Sequence, residues 1–175
     1  MISLRKPVPA DAGRLAQAGN HPAIASTMIS LPSPFRSEDA EAWIAGLAQR
    51  SDVDGYLIVD RARQCLIGAA ELRDIDREHR QAEASFWLHP ASWGRGCGSA
   101  ALLQLTRIAF DRHGLNRVYA FHMARNPASG RVMANCGFQF EGCLRERVWK
   151  GGRTEDAILW SRLASDPPCS AERRG

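Results

Sequence analysis

The stretch AEASFWLHPASWGRGCGSAA, residues 82–101, decides how this chain folds. Its first part, Ala82–Leu88, has apolar side chains at the even positions and places Glu83, Ser85 and Trp87 on the opposite face. This alternation predicts a β-strand, which Pro90 ends. A glycine-rich turn follows, and the residues after it have the apolar side of a long helix. The stretch therefore predicts a strand, a tight loop and a helix in direct succession.

The loop itself is Gly94-Arg95-Gly96-Cys97-Gly98-Ser99. Glycines here let the backbone bend tightly and leave its N–H groups uncovered, and these donors at a helix start suit a pyrophosphate. A Walker A loop is excluded because no Lys follows Gly98, and the dinucleotide fingerprint is not met because the spacing is G-x-G-x-G. A glycine turn without a ligand is the alternative that the loop alone leaves open.

Outward from this stretch, strands and helices alternate along the chain. The further predicted strands are Ile2–Arg5, Tyr56–Val59, Leu66–Ala70, Arg117–Phe121, Phe138–Trp149 and Ala157–Leu163. The predicted helices are Pro9–Ala18, one with Ser37 as N-cap that runs through Leu47, one from the glycine loop to about Arg112, and one from Asn126 to Gly137. This alternation predicts an α/β or α+β domain with one central sheet.

Length and composition describe an ordinary globular chain. With 175 residues, 45% hydrophobic and 24% charged, one domain over residues 1–164 is expected, followed by a flexible tail over residues 165–175, which is polar and interrupted by prolines. The net charge is +4, but acidic and basic residues are interspersed, which argues against a nucleic-acid-binding protein. A mildly positive balance suits an anionic cofactor.

Cysteine and histidine usage argues against disulfides and metals. The five cysteines are odd in number and irregular in spacing, and the five histidines lack ligand spacing. Reduced thiols, the lack of a signal-peptide pattern at the N-terminus and the lack of an apolar run of about 18 residues together predict a cytoplasmic protein with no membrane partner.

Residues 82–101 resemble the strand, loop and helix of the GNAT N-acetyltransferases, most closely the branch of the RimJ/RimL ribosomal-protein N-terminal acetyltransferases. NPASGRVMANCGFQFEGCLRE, residues 126–146, is similar to the second signature of that branch. LPSPFRSEDAEAWI (residues 31–44) resembles its substrate-side helical segment, and GGRTEDAILWSRL (residues 151–163) its closing hairpin. The resemblance follows the right order and spans most of residues 1–164.

The resemblance implies a single-domain fold with a mixed central sheet of about seven strands, a splayed parallel pair and flanking helices. It implies an N-acetyltransferase in which a primary amine, of a protein N-terminus or a small molecule, attacks the thioester of acetyl-CoA directly. A non-catalytic acetyl-CoA-binding sensor on the same fold is the alternative. The acceptor loops are expected near residues 20–36 and 145–155, and the oligomeric state stays open, with a homodimer as one arrangement considered.

The resemblance also assigns the cofactor site. The main chain of the loop is expected to hold the diphosphate, an N–H near Leu88 to face the thioester carbonyl, Asn126 to contact the pantetheine arm and Ser129 to reach the sulfur. The expected cofactor-binding residues are Leu88, Trp93, Gly94, Arg95, Gly96, Cys97, Gly98, Ser99, Asn126 and Ser129. Trp93 replaces the usual Gln or Arg that opens the loop, and Met133 stands where many members have a Tyr that protonates the thiolate.

Two residues are candidates for proton transfer. Ser129 is expected to donate to the departing thiolate, although Asn126, Pro127 and Ser129 also suit the first turn of a helix. Glu83 is the candidate base, because a carboxylate half-buried beside the indole of Trp87 would have a raised pKa. Its alternative is an exposed or salt-bridged strand residue. A covalent role for Cys97 is rejected, and no metal is expected.

Overall fold

The computed structural model describes residues 1–169, and these form one mixed sheet of seven strands in the order β1-β2-β3-β4-β5-β7-β6. The strands are β1 (Ile2–Arg5), β2 (Asp54–Asp60), β3 (Cys65–Asp76), β4 (Gln81–Leu88), β5 (Arg117–Met123), β6 (Gln139–Lys150) and β7 (Arg153–Leu163). Strands β4 and β5 are parallel, and all other neighbours are antiparallel. The predicted α/β fold with a mixed sheet and one parallel pair is confirmed.

Helices cover both faces of the sheet. They are α1 (Ala12–Gly19), α2 (Pro22–Thr27), α3 (Ser37–Gln49), α4 (Cys97–Arg107, continued by a π turn through Arg112) and α5 (Pro127–Asn135). One core lies under α4 and α5, and a second lies under α1 and α3. Strand β4 contributes to both, with Ala82, Ala84 and Leu88 in the first core and Trp87 in the second. The alternating side chains of β4 therefore pack into two different cores, because successive side chains of a strand point to opposite faces.

Two helix assignments differ from the sequence prediction. Ser37 is the first helical residue of α3, and the N-cap position belongs to Arg36, whose N–H donates to Asp39 Oδ2 at 2.8 Å. The helix α2 was not predicted, because it is only six residues long and lacks an apolar period. Its start is marked by the imidazole of His21, which accepts from the N–H of Ala23 at 3.1 Å.

Beyond β7 the chain still contacts the domain. Cys169 packs against the core under α4 and α5, while the rest of the predicted tail, residues 170–175, lies outside the described part of the chain. The boundary at residue 164 stays a prediction. Within residues 1–169, none of the helices combines the length and apolar character needed to cross a membrane.

Candidate active site

A wedge-shaped gap opens between the parallel strands β4 and β5. Their ladder covers three pairs and ends where Glu83 lies opposite Tyr119. Beyond this point each strand keeps only its outer neighbour, since β4 stays paired to β3 as far as Leu88 and β5 stays paired to β7 as far as Met123. The gap is thus bordered by two strand edges that face each other without pairing.

The main chain of β4 directs hydrogen-bonding groups into this gap. The N–H of His89 donates to Ile67 O of β3 at 2.7 Å. Because N–H directions alternate along a strand, the amides of Leu88 and Phe86 point away from β3, toward β5. The N–H of Leu88, the position expected to face a thioester carbonyl, therefore points into the gap.

The glycine-rich loop follows at the end of β4. Gly94 and Gly96 have φ of +70° and +76°, which L-residues with a side chain rarely adopt. The first helical amide with a backbone partner is that of Ala100, which donates to Gly96 O at 3.0 Å, so the amides before it, from Cys97 to Ser99, lie at an open helix start. A Cβ added at Gly94 or Gly96 would meet nothing within 4 Å, which leaves space in front of the loop. Uncovered amides, a positive helix end and free space fit a diphosphate.

Two side chains of the loop are already engaged within the protein. The indole Nε1 of Trp93 donates to Leu88 O at 2.8 Å, and Arg95 Nη2 lies 3.7 Å from Asp60 Oδ2 on β2. The guanidinium of Arg95 is thus directed toward Asp60. Cys97 is buried under the helix start, which suits a structural thiol.

Asn126 and Ser129 form a pair at the start of α5. Asn126 Nδ2 donates to Ser129 Oγ at 3.0 Å, and the Asn126 side chain makes no capping bond to the helix backbone. Pro127 occupies the first helical turn, as predicted. Because Ser129 Oγ accepts from the amide, its own proton is directed elsewhere and is available to an incoming acceptor. The alternative role of Asn126 as a simple side-chain cap is therefore not what the structure shows.

Glu83 is buried, 8% exposed, and pairs with Arg73, which lies directly opposite it on β3. Burial raises the pKa of Glu83, and the neighbouring guanidinium of Arg73 offsets part of that rise. The indole of Trp87, the expected partner, packs against Phe35 with ring centroids 6.4 Å apart. The expected burial is present, and so is the salt bridge named as the alternative.

Sequence reasoning missed His122, which lies in the same cleft. Trp160 Nε1 donates to His122 Nε2 at 3.2 Å, and His122 Nδ1 lies 2.9 Å from Met123 O. Since Nε2 accepts, Nδ1 carries the proton, and both ring nitrogens are occupied. A Cβ at Gly130 would stand 2.7 Å from His122 Nε2, so glycine is needed for α5 to approach. The imidazole supports the wall and has no free lone pair to act as a base.

The structure brings the proton-transfer candidates together in a small cleft of about 50 Å³ at the gap. Its wall includes Arg73, Glu83, His122, Asn126 and Ser129. The glycine-rich loop lies at the far end of β4 from Glu83, as a long cofactor threaded through the gap would require. Among residues 1–169, no group of three His, Cys, Asp or Glu side chains is placed to hold a metal ion.

The chain is similar in sequence to a known protein family and to several known proteins. Residues 2–139 match the family described as Acetyltransferase (GNAT) domain. The uncharacterized N-acetyltransferase YoaA of Bacillus subtilis is 31% identical over 55% of this chain and 54% of its own length. The ribosomal-protein-serine acetyltransferase of Escherichia coli is 30% identical over 56% of this chain and 55% of its own length. The chain therefore spans about half the length of these two relatives.

A crystal structure of spermidine N-acetyltransferase from Vibrio cholerae in complex with CoA and spermine has the same fold. Its TM-score is 0.83 at 24% identity, and the alignment covers 94% of this chain and 96% of that one. At this identity the likeness concerns the fold alone. The named relatives thus modify different acceptors, a ribosomal protein and a polyamine.

Proposed function

Because the chain belongs to the GNAT acetyltransferase family, we propose that it transfers the acetyl group of acetyl-CoA to a primary amine by direct attack on the thioester. The observation that carries this proposal is the gap between β4 and β5, with Glu83 and Ser129 in the cleft beside it. We place the chain in the RimJ/RimL-like branch on its sequence signatures. The acceptor is a protein N-terminus or a small-molecule amine.

The loop and the strand edge hold and orient the cosubstrate. Amides from Arg95 to Ser99 bind the diphosphate at the start of α4, and Asn126 contacts the pantetheine arm. Acetyl-CoA supplies a thioester whose carbonyl carbon accepts the amine nitrogen. The N–H of Leu88 donates to the carbonyl oxygen as negative charge develops there, and a preoriented donor stabilises that charge more than water does.

Two side chains move protons. An amine that arrives as an ammonium must lose a proton before it attacks, and the Glu83 carboxylate accepts this proton through a water molecule. The departing thiolate takes up the proton that the nitrogen loses on forming the amide, and Ser129 relays it through the hydrogen bond that its hydroxyl donates to the sulfur, with its oxygen oriented by Asn126. Ser129 replaces the Tyr that donates to the thiolate in many members, because the thioether of Met133 at that position has no proton to donate.

One observation favours the alternative, a non-catalytic acetyl-CoA-binding sensor. The ion pair with Arg73 stabilises the charged form of Glu83 and so weakens it as a base. A sensor would bind acetyl-CoA and leave the thioester intact.

Incubation with acetyl-CoA and a panel of amines and peptides separates the two functions. Free thiol release and a mass increase of one acetyl group on an acceptor support the transferase. Binding of acetyl-CoA by calorimetry, with no thiol released for any acceptor, would establish the sensor. Peptides and small amines in the same panel decide which kind of acceptor the enzyme prefers.

A further inference from the structure

A second cavity, of about 250 Å³, adjoins the catalytic cleft. We call it the side chamber, and its apolar walls include Leu15, Leu31, Phe35, Trp43 and Trp87. The chamber and the cleft share Met28, Ser30, Ser85 and Phe86. We propose that the side chamber binds a ring-sized apolar group of the acceptor while its primary amine lies in the cleft. This inference rests on the proposed acetyl transfer and names its acceptor class.

The volumes of the chamber and the cleft indicate which part of the acceptor each one can hold. A dry apolar cavity of about 150 Å³ is enough to bind benzene. The side chamber, at about 250 Å³, therefore has room for an aromatic ring and part of an alkyl linker. The cleft, at about 50 Å³, takes an amino group and its carbon but no ring.

The walls of the chamber are held in place by other contacts. Phe35 and Trp87 meet edge to face, and a Cβ at Gly19 would come within 2.6 Å of Phe35 Cδ1, so glycine is required for that packing. Trp43 Nε1 donates to Glu71 Oε2 at 2.8 Å, which orients its indole. A preformed apolar pocket binds with little loss of side-chain entropy.

Charges select the kind of amine. Asp39 and Glu71 line the chamber and Glu83 lines the cleft, whereas Arg73 is the one cation in either lining among residues 1–169. Arg73 Nε lies 3.5 Å from Glu71 Oε1, and its other end pairs with Glu83. Three carboxylates against one guanidinium favour a cationic acceptor and disfavour a carboxylate.

Both carboxylates of the chamber already have partners. Asp39 accepts from the N–H of Arg36. Glu71 accepts from Trp43 and pairs with Arg73. The further charges of a polyamine would therefore lie mainly against apolar walls, which costs desolvation energy.

The first experiment compares acceptors by kcat/KM. We expect phenethylamine to exceed ethylamine and spermidine at least tenfold, and phenylalaninamide to exceed phenylalanine at least tenfold. A peptide with an N-terminal Phe tests whether the apolar group comes from a protein or a small molecule. Equal values for phenethylamine, ethylamine and spermidine would overturn the inference and leave the acetyl transfer intact.

A matched pair of variants tests the chamber directly. Ala42 and Ala48 are both exposed residues of α3. Ala42 lines the chamber, and Ala48 does not. We expect Ala42→Phe to lower the ratio of kcat/KM for phenethylamine to kcat/KM for ethylamine about tenfold, while Ala48→Phe changes neither value.

Binding supplies a readout that is independent of turnover. Calorimetric titration of phenethylamine into the CoA-bound protein should show binding that Ala42→Phe weakens about tenfold and Ala48→Phe preserves. If no amine is acetylated but Ala42→Phe alone weakens phenethylamine binding, the proposed acetyl transfer is wrong and the binding role of the side chamber is supported. Equal affinity in the two variants would refute the chamber.

Discussion

The indole Nε1 of Trp93 donates a hydrogen bond of 2.8 Å to the carbonyl oxygen of Leu88. The carbonyl and amide of Leu88 share one direction, away from β3, so this bond ties the start of the loop to the strand edge at the gap. A side chain that replaces the usual Gln or Arg of the loop thereby helps to fix the residue expected to orient the thioester.

Trp93→Phe removes this bond and keeps the aromatic ring. We expect acetyl-CoA affinity to fall about twofold to tenfold, because one hydrogen bond of this kind contributes about 0.5–1.5 kcal/mol. Calorimetry measures the change. Trp149→Phe is the control, since Trp149 is 72% exposed on β6, and its affinity should match the wild type. An unchanged affinity for Trp93→Phe would show that the loop is held without the indole.

Gly96→Asp should abolish acetyl-CoA binding, because a carboxylate would face the diphosphate at the start of α4. Gly96→Asn is the matched control: it has nearly the same shape, carries no charge and tolerates the φ of +76° better than other side chains. We expect the Asn variant to bind at least tenfold more tightly than the Asp variant in calorimetric titrations. Equal affinities would mean that the diphosphate lies elsewhere.

Ser129→Ala should lower kcat about tenfold and leave the acetyl-CoA affinity within about twofold, as expected for loss of a proton donor. Asn126→Ala should lower kcat as well, because the amide no longer orients Ser129 Oγ. The measurements are steady-state kinetics together with calorimetry. A Ser129→Ala enzyme with wild-type turnover would reduce Ser129 to a helix-start residue.

Glu83→Gln should change the pH dependence of the reaction. Burial raises the pKa of Glu83 above the ordinary value of 4.5, so the base forms, and activity rises, as pH increases through that higher pKa. The Gln variant should be slower at neutral pH and partly recover at high pH, where the amine loses its proton unaided. Glu71→Gln, which alters the other carboxylate near Arg73, should retain the acid limb in a kcat/KM profile. A wild-type profile in the Glu83→Gln enzyme would exclude Glu83 as the base.

Glu141 should make stability depend on pH. Hydrogen bonds from Arg117, at 2.6 Å for the Nη1 to Oε1 contact, lower the pKa of Glu141 from 4.5 to about 2, opposed in part by burial. A lowered folded-state pKa stabilises the fold above the unfolded pKa of 4.5, and that contribution disappears as pH falls toward 2.

The test compares the free energy of unfolding of the wild type and Glu141→Gln in urea. The pair is about a third exposed, so solvent screening limits the expected difference to about 1 kcal/mol at pH 7. This difference should shrink steadily between pH 4.5 and pH 2. A gap that stays constant with pH would assign the effect to packing.

Sequence patterns within single segments were sufficient to predict the strand, the loop and the helix around the gap. Each of these elements could be predicted because residues close together in sequence determine it. The determining patterns are the alternation in β4, the glycines of the loop and the apolar side of α4. Ser129 was proposed from resemblance and Glu83 from its position on the predicted strand, and both line one cleft in the structure.

What could not be predicted depends on contacts between distant segments. Arg73 stands opposite Glu83 only once the register of β3 and β4 is set, and the engagement of His122 by Trp160 requires β5 and β7 to pair. The side chamber likewise forms only when α1 and α3 close over the sheet. No single-segment pattern encodes these relations.

The divergence of β4 and β5 also has a consequence for handling the protein. Two edges with unused peptide groups lie inside one sheet, and such edges can capture a strand of another chain. A cosubstrate whose arm lies along both edges would shield them. We therefore expect preparations stripped of CoA to aggregate sooner on storage or warming than preparations saturated with it, which light scattering would detect.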